Sequence, residues 1–310
     1  MDPILLAVQT LNGLQLGVLL FLVAAGLTLV FGIMDFINLA HGVQYMVGAY
    51  FAATFSAVTG SFLLGAALAL PVAVLVGVAL ERVVFRHFYG RDHLDQVLAT
   101  FGVIFFLTEL VRVIWGPTPL SFPVPAWANH SVSLFGGATY PAYRLFIIGG
   151  GLLVAAGLYV LVARTRFGML VRAGASNPRM LQALGTDIKR LFLLVFALGA
   201  MLAGFAGLMA GPILSVEPSM GDNLLILAFV VIVIGGLGSI QGAFLGALLV
   251  GLVDTLGRSF LTDLVKLVLP ASAAVDVGPA LSSMLIYVLM AVVLIVSPTG
   301  LLPAARGAAR

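Results

Sequence analysis

The chain has 310 residues, is 62% hydrophobic and only 9% charged, and carries a formal net charge of +3; soluble domains carry about 25% charged residues. So few charges cannot cover a surface that faces water, so much of this surface must face lipid, and a soluble enzyme or a nucleic-acid binder is excluded. The absence of cysteine removes disulfides, thiol nucleophiles and thiolate metal sites.

A segment inside lipid must satisfy its own backbone, so it is a helix or part of a closed barrel. A barrel would show short alternating strands. This sequence shows long uncharged runs instead, at Ser61–Leu80, Leu145–Ala163 and Leu191–Val216. Each is close to or above the roughly 20 residues that cross a bilayer core. The expected fold is therefore all-α, a polytopic transmembrane helical bundle forming one domain over residues 1–310. About eight or nine membrane elements are predicted, at 11–33, 36–56, 62–84, 94–115, 143–163, 191–212, 222–239, 242–257 and 281–297. The opening MDPILLAVQT has no basic stretch, so no cleaved signal peptide is expected.

The second element opens with Asp35-Phe-Ile-Asn-Leu-Ala-His-Gly-Val-Gln-Tyr. On a helix, Asn38, His41 and Tyr45 share one face by i+3 and i+4 spacing, with Gln44 beside them. Polar groups at membrane depth are costly and face a cavity or another helix. The four are candidates for a polar wall of a translocation path; a hydrogen-bonded helix contact is the alternative.

The third element runs into LVGVALERVVFR, and the loop near 81–95 holds Arg82, Arg86 and Arg91. Of the four histidines only His87 and His93 come near a metal-ligand spacing, and they sit in this charged loop, so no metal site is expected. Glu109 and Arg112 make an ordinary i, i+3 pair in the fourth element. Residues 116–141 are rich in Pro, Gly, Ser and aromatics and read as an outer loop, with Trp115 and Trp127 suited to the outer interface.

The segment 165–190 reads TRFGMLVRAGASNPRMLQALGTDIKR. Asn177 followed by Pro178 is a good helix start, and Gly185 a good stop. Leu181 and Leu184 share a face at i and i+3. A short extramembrane helix with a small apolar face and basic flanks either meets a partner or lies on anionic lipid.

Small residues recur four apart at Gly238, Gly242 and Gly246, with a similar stripe through Ala200, Gly204, Gly207 and Gly211; such stripes let helices approach closely in lipid. Residues 224–253 carry no charge, and as one helix would span about 45 Å, more than the bilayer core. The glycines at 235, 236, 238 and 242 predict a turn between two helices. Residues 258–280 read as an outer loop with a short helix. The block ending LVGLVDTLGRSF echoes LVGVALERVVFR, as an inverted repeat would.

Eleven of the 15 basic residues fall in three segments, 81–95, 164–190 and the C-terminal tail with Arg306 and Arg310. Even numbers of elements separate them, so all three can lie on one side. The positive-inside rule makes that side cytoplasmic, with the N-terminus outside and the C-terminus cytoplasmic. No GxxxxGK[ST], HExxH or GxSxG occurs, so ATP hydrolysis and membrane proteolysis are not expected of this chain. No span carries a paired acid and base suited to a proton relay.

With these motifs in hand, the sequence resembles the LivH-type permeases of bacterial branched-chain amino-acid ABC transporters. The likeness runs through Gly26-Leu-Thr-Leu, Phe31-Gly, Ile37-Asn-Leu-Ala-His-Gly and Met46-Val-Gly-Ala-Tyr. It continues through Arg172-Ala, Asn177, Leu184-Gly and Asp187, then Gly235-Gly-Leu-Gly-Ser and Gly242-Ala-Phe-Leu-Gly-Ala. Asp35 stands where small or apolar residues are familiar.

The resemblance implies a non-enzymatic transport subunit of the bacterial inner membrane. It would translocate branched-chain or other neutral amino acids handed over by a periplasmic binding protein. The implied partners are a second permease, an unlike LivM-type chain, and two ABC ATPase subunits, with no nucleic acid. This chain would hold no cofactor, since the Mg-ATP would sit on the ATPases. Arg172, Ala173, Asn177, Pro178, Leu181, Leu184 and Gly185 would face the ATPase within a cytoplasmic coupling segment, 165–190. Related permeases handle urea and short amides, which is the alternative substrate class. A stand-alone secondary transporter is the further one.

Overall fold

The apolar runs become helices because only a helix closes every backbone hydrogen bond within one segment. The computed structural model describes residues 3–134 and 137–303. In chain order they form α1 (Pro3–Met34), α2 (His41–Thr59), α3 (Phe62–Val83), α4 (His93–Trp115), α5 (Ala142–Arg164) and α6 (Arg166–Ser176). Then come α7 (Pro178–Ala183), α8 (Ile188–Ala210), α9 (Met220–Gly235), α10 (Ile240–Val265) and α11 (Ala271–Val296). A small antiparallel hairpin, β1 (Ser131–Ser133) with β2 (Thr139–Pro141), lies between α4 and α5.

Seven of these helices are long and apolar enough to cross a membrane alone. Two membrane elements are shorter: α2 has 19 residues and a polar start, and α9 only 16. Following the chain, the 84–92 loop and the 165–187 segment fall on one face of the bundle, called here the basic face. Arg306, Arg310 and the C-terminus itself lie outside the described residues.

The core is built around α1. Its middle is apolar on all sides, as an enclosed stretch of helix must be, and every residue from Gly17 to Val30 is buried. Small residues bring its neighbours to backbone distance. Gly13 meets Leu252 of α10, and Gly17 packs on Gly251 and the Ala247 carbonyl. Between α2 and α8, Gly48 lies on Gly204 and Gly207 on the Tyr45 carbonyl. Of the predicted small-residue stripe, Ala200 instead faces Gly77 of α3, and Gly211 meets the Phe122 ring.

At the basic face two buried polar side chains tie the loops down. Glu81 is 1% exposed and accepts from the Tyr89 hydroxyl at 3.0 Å and from Arg86 at 3.4 Å. Burial, and the Glu81 carboxylate beside it, push the Tyr89 hydroxyl well above its ordinary pKa, so it stays a donor. Gln96 accepts from the Ile37 N–H at 3.1 Å and donates to the Phe88 and Arg91 carbonyls at 3.4 and 3.2 Å.

The predicted glycine turn is present at Gly236–Ser239, with φ of 107° at Gly236 and 81° at Gly238. The N–H groups of Leu301 and Leu302 then donate to the Ile234 and Gly235 carbonyls, satisfying the end of α9.

Three boundaries differ from the sequence reading. The expected loop over 258–280 shrinks to residues 266–270, because α10 runs on to Val265 and α11 begins at Ala271. Two of its basic residues are paired, Arg258 with buried Asp254 one turn earlier and Lys266 with Asp263. Helix α1 begins near Pro3 rather than residue 11. The helix expected from residue 36 begins only at His41, so Asn38 lies in an unwound link rather than on the helical face.

Candidate functional site

Two constellations stand out, one on the basic face and one inside the bundle. The first is the 165–190 segment, where three side-chain caps start three successive helices. Thr165 accepts from the Gly168 N–H, Asn177 from the Met180 N–H at 2.9 Å, and Asp187 from the Arg190 N–H at 3.1 Å. Pro178 takes the first helical position and Gly185, at φ 89°, ends the turn. Arg172 donates to the Val162 carbonyl at the end of α5, and Gly168 has no room for a side chain against that same turn. The elbow between α5 and α6 is therefore fixed.

The expected shared face of Leu181 and Leu184 is split. Leu181 is 7% exposed and turns inward beside Gly174, which also touches Ile33 and Leu191. Leu184 is 74% exposed, and with Met180 four residues earlier it forms the apolar surface this segment offers. Arg172, Arg179, Gln182 and Asn177 are exposed around it, Ala173 and Pro178 partly so. Met180 escaped the sequence reading, although its i, i+4 spacing to Leu184 was available. A cleft of about 1060 Å³ separates the segment from the end of α1 and the α9–α10 turn, with Asp35, Arg172 and Arg179 on its walls.

The second constellation surrounds the first turn of α2. Asn38, His41, Gln44 and Tyr45 are all buried, at 0–2% exposure, and none lines a cleft described here. The His41 ring is wedged between Gly26 of α1 and Gly199 of α8. Gln44 reaches toward Gly77 of α3. Neither ring nitrogen of His41, nor either amide group of Asn38 or Gln44, has a hydrogen-bond partner among the described residues. The Val23 carbonyl and the Gln44 amide lie near His41 without good hydrogen-bond geometry. A buried polar group left unpaired costs about 1–3 kcal/mol. A change of helix packing or a polar guest that paired these groups would recover that cost.

The sequence reading missed the neighbour of this turn. At about 24 Å, α9 is too short for the roughly 30 Å core. The non-helical stretch Gly211–Ser219 supplies the rest of the crossing. The first turn of α9 lies against the first turn of α2, Gly221 on Gly42. That contact is inside the bundle: His41 touches Gly26, about 12 Å up α1 from Met34, and Gly199, about 16 Å up α8 from Ile188, at 1.5 Å per residue. Ser219, Asp222 and Asn223 of this broken element are exposed. Pro212 and Pro218, bracketing the break, were the available signal.

Asn38→Leu separates the two readings of the polar turn by the sign of its effect on stability. Removing an unpaired buried amide is expected to leave melting unchanged or raise it by a few degrees, while transport falls by roughly tenfold or more. Thermal melts and uptake on the same preparation check this, and normal uptake would return Asn38 to a packing role.

Comparison with known proteins follows the same outline. Residues 9–294 match the family model described as branched-chain amino acid transport system / permease component. The chain is 33% identical over 272 residues to the high-affinity branched-chain amino acid transport system permease protein BraD of Pseudomonas aeruginosa, covering 83% of this chain and 88% of that one. It is 30% identical over 308 residues to LivH of Escherichia coli K12, a permease protein of the same description, covering 95% and 94%. It is 31% identical over 257 residues to the probable LivH permease of Methanocaldococcus jannaschii, covering 79% of each. No solved structure matches.

Proposed function

The chain belongs to the family of permease components of branched-chain amino acid transport systems, and from that premise we propose that it is one half of the conduit of an ABC importer for leucine, isoleucine, valine or other neutral amino acids. The basic face is cytoplasmic and the N-terminus outside, as the excess of Lys and Arg over 164–190 favours. A second permease, an unlike LivM-type chain, completes the conduit. Two ATPase subunits carrying Mg-ATP dock on the basic face, and a periplasmic binding protein delivers substrate to the other.

The observation that carries the coupling part is the capped segment with Met180 and Leu184 held out from it. An apolar pair with a polar rim is the usual form of a small docking site. Because Arg172 and Gly168 lock the segment to α5, and Leu181 locks it to the core, ATPase motion would pass to α5, α8 and α1 without being absorbed in a loop. Interfaces of this kind switch between discrete packings. The unpaired Asn38, His41 and Gln44, beside the broken α9, are where such a shift would open a polar route.

The test is uptake in proteoliposomes holding both permeases, both ATPases and the binding protein, with ATP on one side only. Leucine uptake is expected and urea uptake is not; the reverse, or uptake without any ATPase, would displace the reading. The chain lacks cysteine, so single replacements report orientation directly. Ala175→Cys should react with an impermeant maleimide from the ATP side and Ser133→Cys from the other; the opposite pattern would end the coupling assignment.

A further inference from the structure

At the face opposite the basic segment, α1, α5, α10 and the link after α8 border an open pocket of about 340 Å³. That lies at the small end of ligand pockets, which run about 300–1,000 Å³. We propose that this pocket receives the substrate amino acid on its way in, holding the α-carboxylate on Arg144 and Arg258 and the branched side chain on Leu16, Ile213 and Leu214. The proposal rests on the amino-acid uptake reading above.

The polar wall is built rather than incidental. Arg144 donates to the Asn12 side-chain oxygen at 2.6 Å, and the Tyr140 hydroxyl donates to the same oxygen at 3.1 Å. Asn12 in turn donates to Gln9 at 3.0 Å, so the guanidinium is positioned from α1. Among the described residues no Asp or Glu pairs with Arg144. Arg258 is held through Nε, at 2.9 and 3.0 Å from the two oxygens of buried Asp254, and among the described residues neither terminal nitrogen has a hydrogen-bond partner. A planar guanidinium with free nitrogens binds a carboxylate in two-pronged fashion.

Gln15 points to a ligand independently. Its side chain lines the pocket, the residue is only 8% exposed, and it forms no hydrogen bond with any described residue. Its amide oxygen can accept from an α-ammonium group while Leu16, Ile213 and Leu214 give the aliphatic side chain an apolar wall. Ile213 and Leu214 also belong to the irregular stretch Gly211–Ser219, which leads into the first turn of α9. The pocket and the polar turn of α2 are thus linked by this one segment, through Gly221 on Gly42.

The rival ligand is a lipid phosphate, which needs the guanidiniums but neither Gln15 nor a free α-ammonium. The experiment uses the complete transporter in detergent and saturation-transfer NMR with leucine, leucinamide and isoamylamine as probes. Leucine should give signal, and the two probes lacking a carboxylate should be weaker by roughly 10- to 100-fold, the effect of one charged hydrogen bond. Arg144→Gln should lower leucine binding by a similar factor and Arg144→Lys should recover part of it. Equal signals from leucine and leucinamide, an unchanged Arg144→Gln, or displacement of leucine by phosphatidylglycerol at equal strength would overturn the proposal. If Arg144→Gln fails to assemble, Gln15→Leu serves as the second variant, with the same expected loss. Wild-type uptake is run alongside. Absent leucine uptake there would sink the importer reading itself, whereas normal uptake with an unaffected Arg144→Gln would sink the pocket alone.

Discussion

Leu184→Asp is expected to abolish ATP-driven uptake while the subunit still inserts, folds and pairs with its partner permease. Leu184 is 74% exposed at the end of α7, so a carboxylate there meets water in the free subunit. Only against the ATPase would the charge be buried. Placing an unpaired carboxylate in a small apolar contact costs about 2–4 kcal/mol, which weakens association by roughly 30- to 1,000-fold. Leu181→Asp, three residues earlier, should behave differently. Leu181 is 7% exposed against Gly174, close to Leu191 and Ile33, so the same substitution puts a charge into the bundle itself. That variant should fail to assemble, with a loss of several degrees in melting or no recoverable protein. Co-purification of the ATPases, thermal melts and uptake on both variants separate the cases. If Leu184→Asp retains its ATPases and transports normally, the apolar tip is not the docking element.

How far the sequence carries depends on which physical rule governed each residue. The membrane elements were legible because lipid forces apolar helices, and hydropathy alone finds them. The glycine turn at 236–239 was legible because two of its residues need positive φ, and only Gly adopts that freely. Asn177, Pro178 and Gly185 were legible because caps are local chemistry. The end of α10 was not. Asp254, Arg258, Asp263 and Lys266 look like loop residues one at a time, yet at spacings of four and three they neutralise each other on a helix that continues past the apolar part. The start of α1 was misplaced for a related reason: Gln9 is polar, but it lines a pocket rather than terminates a span. Asn38 fell outside its predicted helix, and the packing of the first turn of α9 on α2 went unseen, because both depend on backbone packed against a distant element. Gly221 on Gly42 is a contact across 179 positions, and no local signal specifies it.

Gly48→Val should be severely damaging, and Gly150→Val close to harmless. Both glycines sit in apolar membrane helices, and no propensity scale tells them apart. A Cβ at residue 48 would overlap the carbonyl oxygen and Cα of Gly204, and Gly204 has Ala73 of α3 at its back, 2.7 Å from where its own Cβ would stand. The obstruction is backbone on one side and a third helix behind it, so neither partner can yield cheaply. Overpacking of this kind costs about 3 kcal/mol or more, and in lipid no hydrophobic gain offsets the lost close approach. Since α2 carries His41 and Gln44 against α1, α3 and α8, prying it from α8 would also disturb the polar turn. At residue 150 a Cβ meets nothing within 4 Å, whereas its neighbour Gly151 faces Val18 of α1. Valine there points to lipid and, being a better helix former than glycine, should shift stability by no more than about 1 kcal/mol. Size-exclusion yield and melting temperature of the two variants make the comparison. Equal melting would mean that α2 and α8 can separate without loss, and the tight seam between them would then be a sliding contact rather than a fixed one.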